Sequence, residues 1–101
     1  MGWFGKRALP PQRETLRNDT EASLEVMVEM IPRRYVLQPG DEMVIQADAP
    51  PSNQAFNIHV YDGGLQVCAA WDIDPQVWIN GSRAEPDWTS PGPNAEAPSV
   101  E

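Results

Sequence analysis

The stretch FNIHVYDGGLQVCAAW, residues 56–71, determines the fold class that we expect for this chain. Apolar and polar residues alternate on both sides of its centre, as in strands with one buried and one solvated face. The central Asp62-Gly63-Gly64 supplies glycines for the positive φ angles of a tight hairpin turn. With Asp62–Gly63 as the turn, apolar residues face each other on one side in the pairs Val60–Leu65, Ile58–Val67 and Phe56–Ala69. Register and pattern agree, so we predict a β-hairpin.

Short strands are also predicted on both sides of this hairpin. They share alternation or a β-branched and aromatic composition, and they are SLEVMVEMI (23–31), YVL (35–37), MVIQA (43–47) and VWI (77–79). Pro39–Gly40 and Asn80–Gly81 are turn signals between strands. Many short strands separated by turns predict an all-β fold, a small antiparallel β-sandwich with extended N- and C-terminal tails, or else a small open barrel.

The run YVLQPGDEMVI, residues 35–45, is similar to a strand–turn–strand that is common in immunoglobulin-like and cupredoxin-like domains. This resemblance implies only the outline of the fold. A blue-copper centre needs two histidines and a cysteine, usually with a methionine. The chain contains one histidine and one cysteine, so a cupredoxin-like outline is expected here without a copper site.

The chain has 101 residues, which allows one domain. We predict a basic N-terminal arm at residues 1–20, a β-sandwich domain at 21–84 and a Pro-rich acidic C-terminal tail at 85–101. A short helical turn is predicted in RETLRN, residues 13–18. Removal of residues 1–17 is expected to leave the isolated domain folded.

Charge is distributed unevenly along the chain. The net charge is −8, while residues 1–17 hold four cations against Glu14 and therefore balance at +3. An acidic body repels phosphates, so we expect no nucleic-acid binding through it, although the arm could contact an anionic surface. No apolar run is long enough to span a membrane or resembles a secretory signal, and a single cysteine fits a reducing compartment. The predicted location is the cytoplasm, or an assembly formed there.

His59 and Cys68 are the only histidine and cysteine in the chain. On the predicted hairpin they share the face opposite Phe56, as diagonal neighbours, or directly opposite each other if Gly63–Gly64 is the turn. A metal site needs three or four ligands, so two side chains do not suffice. We therefore predict no metal and no cofactor, and interpret this face as an ordinary polar surface.

Acidic residues occur in the predicted turns at Asp62, Asp72 and Asp74. The segment WDIDPQVW, which holds Asp72 and Asp74, has neither the spacing nor the glycine of a calcium loop. The acids are therefore interpreted as solvated turns that cap the strand ends. No phosphate-binding loop, nucleophile elbow or zinc-protease motif occurs. We predict no catalytic residues and no enzymatic activity.

Four tryptophans are many for this length, and one or two of them are expected in the core. Aromatic and basic residues in the tails are predicted to anchor the domain to neighbours: Trp3, Phe4, Lys6, Arg7 and Trp88. Trp78 could also stack on Arg83 across the Asn80–Gly81 turn. A sheet face carrying Tyr61, Trp71 and Trp78 is the candidate ligand face.

The sequence therefore predicts a non-enzymatic structural or assembly protein. Its tails would dock on other protein subunits, which could be copies of the same chain, as in a virion decoration or head–tail component. The alternative prediction is a β-sandwich module that binds a carbohydrate or a short peptide through exposed tryptophan and tyrosine.

Overall fold

The computed structural model describes residues 9–90. Trp3, Phe4, Lys6 and Arg7 lie outside these residues, as does the last part of the acidic tail. Within residues 9–90 the chain forms eight strands and no helix. The strands are β1 (Pro11–Arg17), β2 (Leu24–Glu29), β3 (Arg33–Leu37), β4 (Glu42–Asp48), β5 (Phe56–Tyr61), β6 (Gly64–Ala69), β7 (Gln76–Ile79) and β8 (Ser82–Arg83).

Two four-stranded sheets share one hydrophobic core. The first sheet has the order β1-β4-β7-β8 and the second has the order β3-β2-β6-β5. The core combines inward rows of both sheets: Val26, Val28, Tyr35, Leu37, Met43, Ile45, Ala47, Ala49, Ala55, Phe56, Val67, Ala69 and Val77. The predicted all-β class is confirmed, with the outline of a β-sandwich.

The expectation of purely antiparallel sheets is wrong for one pair of strands. β2 and β6 run parallel, with Glu25 beside Gly64 and Glu29 beside Cys68. These strands belong to two different hairpins, β2–β3 and β5–β6, which lie side by side after the chain has passed through β4 in the other sheet. Alternation along a strand shows which face is buried, but it carries no information on the direction of a distant neighbour.

The β5–β6 hairpin has the predicted register. Phe56 lies opposite Ala69, Ile58 opposite Val67 and Val60 opposite Leu65. Gly63 has a φ of 83°, the backbone conformation for which glycine was expected in this turn. Asp62–Gly63 is therefore the turn, and the alternative with Gly63–Gly64 is wrong.

Both other predicted turns form. Asn80 and Gly81 have φ angles of 53° and 85°, as a tight hairpin between β7 and β8 requires. Gly40 has a φ of 88°, and the Asp41 amide donates to the Gln38 carbonyl at 2.9 Å. This second turn links β3 to β4, which belong to different sheets, so it carries the chain across the core.

The helical turn expected at residues 13–18 is wrong, because β1 occupies this segment. Its residues pair with β4 from Pro11–Asp48 to Arg17–Glu42. The inward row of β1 consists of Gln12, Glu14 and Leu16, so only one apolar residue marks its alternation. The sheets therefore begin within the segment that the sequence analysis assigns to the N-terminal arm.

Candidate interaction surfaces

The two sheets have four edge strands, and three of them are short, charged or covered. β8 has two residues, and β1 contains Pro11 and alternating charges. β3 carries Arg33 and Arg34, and the Asp87 amide donates to the Arg34 carbonyl at 2.7 Å. Proline, charge and brevity are features that prevent the edges of sheets from pairing with other chains.

The fourth edge strand, β5, has none of these features. Its sequence FNIHVY contains no proline, lysine, arginine or acid. Along its inward row the exposed fraction rises from 7% at Phe56 to 40% at Ile58 and 78% at Val60. The first sheet therefore covers the start of β5 at Phe56 and leaves the end of the strand exposed. We call β5, with its exposed Ile58 and Val60, the open edge.

Burial of Ile58 and Val60 was expected from the alternation, and this expectation is wrong. Their partners Val67 and Leu65 on β6 are buried and half-buried. The sequence pattern of the hairpin is symmetrical, but β6 lies inside the sheet and β5 lies at its edge. Position in the sheet decides which strand is covered, and no local pattern in the sequence encodes it.

A groove of about 440 Å³ runs between β1 and the start of β5, lined by residues 12–14 and 54–58. The Gln12 side-chain amide donates to the carbonyls of Ala49 and Pro50 at 3.2 and 2.8 Å, which ties β1 to the loop before β5. Glu14, on the inward row of β1, gives the groove an acidic group. The groove thus combines an apolar wall from β5 with an acid from β1.

The outer face of the second sheet carries a hydrogen-bonded chain of side chains. Arg34 contacts Glu25 at 2.6 Å and also donates to the Asp87 carbonyl at 2.9 Å. The Tyr61 hydroxyl donates to the other Glu25 oxygen at 3.0 Å. The Arg34 hydrogen bond is the main cause that lowers the pKa of Glu25. Burial, together with the bond to Glu25, raises the pKa of Tyr61 to about 12.

Trp88 lies on a segment that this chain of side chains holds in place. Arg34 binds both the amide and the carbonyl of Asp87 through its own carbonyl and guanidinium. The Asp87 carboxylate accepts hydrogen bonds from Thr89 and Ser90, which lower its pKa. Trp88, between these anchored residues, is 58% exposed. The structure therefore presents the predicted tail anchor Trp88 on a fixed support beside β3.

Trp78 lies on the outer face of the first sheet between two guanidinium groups. Arg13 and Arg83 lie 5.9 and 5.6 Å from the centroid of its ring. Arg13 is oriented by a 2.8 Å hydrogen bond from its Nε to the Gln46 side chain. A depression of about 280 Å³ adjoins the ring. The stack of Trp78 on Arg83 across the Asn80–Gly81 turn agrees with the sequence interpretation.

The three residues of the predicted ligand face lie on different elements. Tyr61 ends β5 in the second sheet, Trp78 lies on β7 in the first sheet, and Trp71 is in the loop between β6 and β7. The structure does not place them on one sheet face. No tryptophan in residues 9–90 belongs to the core, where Tyr35 is the largest fully buried side chain instead.

A group of exposed apolar residues, of which only Trp71 was a sequence-predicted site residue, lies at one end of the second sheet. Because β2 and β6 are parallel, the loops that follow them leave the same end of the sheet. These loops expose Met30, Ile31, Trp71 and Ile73. Arg33 ties them together, since its guanidinium donates to the Pro75 carbonyl at 2.7 Å. The parallel pairing brings these residues to one end, and no local sequence pattern indicates that pairing.

His59 and Cys68 lie on the outer face of the hairpin as diagonal neighbours, because His59 pairs with Gln66 and Cys68 with Asn57. In residues 9–90 no group of three or more His, Cys, Asp and Glu side chains is arranged to hold a metal ion. Asp72 receives hydrogen bonds from the amides of Asp48 and Asp74 at 3.0 and 2.9 Å, as expected for a loop cap.

Among the same described residues there is no helix with the length and apolarity that a membrane crossing requires. Searches with the whole chain found no protein-family model, no curated protein and no solved structure that gives a significant match.

Proposed function

We propose that this protein is a non-enzymatic assembly module that joins neighbouring copies of itself through the open edge. The observation that carries the proposal is β5, an edge strand without charge or proline whose Ile58 and Val60 are exposed. Edge strands of this kind pair readily with other chains unless they are protected. The other three edges of the sheets are protected, so the exception at β5 is specific.

Strand addition at β5 would bring two gains in free energy. Backbone amides and carbonyls on its outer side would gain hydrogen bonds, as in other complexes formed by strand addition. The exposed side chains would leave water, and complete burial of a valine or isoleucine is worth about 1.5–3 kcal/mol. Both gains require a partner that extends alongside β5, which is what a second chain provides.

The charges of the tails support neighbouring subunits as the partners. Residues 1–17 balance at +3, whereas residues 85–101 contain four acids and no lysine or arginine. Opposite charges on the two ends favour contacts between copies and set their orientation. Trp88, which is 58% exposed near the start of the acidic tail, would serve as an aromatic anchor for such a contact. A repeated setting such as a virion would suit a subunit of this kind.

The test is the mass of the protein in solution, measured by light scattering over a range of concentrations. The chain is expected at a multiple of its 11.2 kDa monomer mass. Val60→Lys is expected to lower this mass towards the monomer, because a charge at the open edge would have to be buried on pairing. Val60 is exposed, so this change does not touch the core.

Thr15→Lys is the matched control, since Thr15 is an exposed residue on the edge strand β1. It adds the same charge at an edge that already carries Arg13 and Arg17 and is expected to leave the mass unchanged. A monomer at all concentrations, or equal loss of mass in both variants, would overturn the proposal.

A second candidate function rests on Trp78 between Arg13 and Arg83. A half-buried ring with flanking donors suits a carbohydrate or a short peptide, the ligands of the alternative sequence prediction. A fluorescence titration with a panel of glycans would test it. Quenching that disappears in Trp78→Ala would favour this function over assembly.

For the fold type we retain the immunoglobulin-like or cupredoxin-like outline as a proposal. It is supported by the Pro39–Gly40 turn, which joins strands of different sheets in the run that resembles those domains.

A further inference from the structure

The described part of the chain begins at Leu9, three residues before Gln12, which lines the groove. The Pro10 carbonyl accepts a hydrogen bond from the Ala49 amide at 3.1 Å, which continues the β1–β4 pairing outward by one step. Gln12 then binds the loop that leads into β5. The N-terminal segment therefore begins at the end of the groove where β5 starts.

The sequence of this segment fits the open edge in either orientation of its side chains. In an extended chain, alternate residues point to opposite faces. One face of residues 3–8 then has Trp3 and Arg7, and the other has Phe4 and Lys6. Each face combines an aromatic ring with a cation. The open edge offers an exposed apolar row on β5, and the adjoining groove offers the acid Glu14 of β1.

We propose that residues 3–8 of one copy add to β5 of a neighbouring copy as a fifth strand of its second sheet. An aromatic ring of the segment would cover Ile58 and Val60, and a cation would face Glu14. The six residues of the segment equal the six of β5, so one extended segment spans the edge. This inference rests on the proposed assembly function and names the segment that makes the contact.

Two consecutive prolines favour exchange between copies over folding back within one copy. Proline fixes φ and restricts the residue before it to extended conformations. Leu9, Pro10 and Pro11 therefore continue the line of β1, and Pro10 is held there by Ala49. A return to β5 of the same copy needs a reversal at this point. Exchange of a terminal strand needs none, and it is a common route to association between identical chains.

Disulfide trapping between two singly labelled chains tests the proposal. In a Cys68→Ser background, one chain carries Phe4→Cys or, for the other orientation of the segment, Trp3→Cys, and the second chain carries Val60→Cys. After mixing and mild oxidation, the mixed disulfide is expected in clear excess over the two like-with-like products. In the matched control, the second chain carries Ser82→Cys, on the exposed edge strand β8, instead of Val60→Cys. There the products are expected at the random ratio.

Each other outcome overturns the inference and can be separated from failure of the proposed function. A random product ratio with Val60→Cys for both Phe4→Cys and Trp3→Cys, in chains whose mass still shows association, would mean that another segment occupies the open edge. A monomeric disulfide in a chain carrying both Phe4→Cys and Val60→Cys, without the mixed product, would mean folding back within one copy. Monomeric mass in all experiments would reject the assembly function itself.

Discussion

Gly64 on β6 lies where the backbone of β2 and the ring of Tyr61 come closest. A Cβ atom at this position would lie 2.5 Å from the Glu25 carbonyl oxygen and 2.7 Å from the Tyr61 ring and hydroxyl. The missing side chain allows the Tyr61 hydroxyl to reach across to the Glu25 carboxylate. The sequence marked Gly64 as a turn glycine, whereas its role in the structure is to leave space.

Gly64→Ala is therefore expected to destabilise the fold by about 1–3 kcal/mol, because backbone and ring must both shift. The free energy of unfolding in urea measures the effect. Ser82→Ala, at an exposed position on β8, is the control and is expected within about 0.5 kcal/mol of the unsubstituted chain. Equal stability of the two variants would show that the contact at Gly64 is looser than described.

The raised pKa of Tyr61 predicts that the folded state loses stability at high pH. Its pKa is raised from 10.0 to about 12 by burial and by the Glu25 carboxylate, so the folded state holds the phenolic proton more tightly than the unfolded state does. This contribution is complete below pH 10 and is lost as the pH rises through the folded pKa. When Tm is measured across this pH range, its decrease is expected to be smaller in Tyr61→Phe than in the unsubstituted chain.

The titration of the phenol itself gives a direct measurement. Glu25→Gln removes the negative charge that holds the proton, so the pKa of Tyr61 is expected to move back towards 10, with the part due to burial remaining. Ultraviolet absorbance of the phenolate follows it, and the difference from Tyr61→Phe separates Tyr61 from Tyr35. An unchanged titration in Glu25→Gln would contradict the hydrogen bond.

At the scale of elements, the position of a strand in the sheet matters more than its own pattern. Val28 on β2 is fully buried, and Val60 on β5 is 78% exposed, although both lie on the inward face of the same sheet. β2 lies inside the sheet and β5 at its edge. The same residue type in the same alternation therefore contributes to the core in one strand and to a surface in the other.

Val28→Ala is expected to cost about 2–3 kcal/mol, from lost burial and the cavity that remains. Val60→Ala is expected to change the stability of the monomer by less than about 0.5 kcal/mol. Urea unfolding at concentrations that favour the monomer measures both. A large loss in Val60→Ala under these conditions would mean that the open edge is covered within one copy.

At the scale of the whole molecule, the presence of β1 changes the result expected from an N-terminal truncation. Removal of residues 1–17, which the sequence analysis expected the domain to tolerate, deletes an edge strand that pairs with β4 along its full length. It also removes Leu16, which packs on the core, and ends next to the buried Asn18. Small domains have only about 5–15 kcal/mol of stability in total.

The shorter deletion of residues 1–8 is therefore expected to leave a cooperative thermal transition, and the deletion of residues 1–17 is expected to abolish it. Near-ultraviolet circular dichroism during heating distinguishes the two. A cooperative transition in the longer deletion would show that the remaining strands form an independent domain without β1.

The sequence by itself determined the all-β class, the β5–β6 register, the glycine turns and most of the strands. Each of these depends on residues close together in the chain, where alternation and φ preferences act. β1 was missed because Leu16 is the sole apolar residue in its inward row. The candidate site was only partly predictable. Trp78 with Arg83 followed from a local turn, whereas Trp88 was predicted as a tail anchor without the hydrogen bonds that join its neighbour Asp87 to β3.

Only the tertiary structure decided the parallel pairing of β2 with β6, the place of β5 at an edge and the exposure of Ile58 and Val60. These features depend on which distant strands become neighbours and how far one sheet covers the other. Strand order is set by packing of the whole core, and alternation along a strand is the same whether its neighbour is present or not.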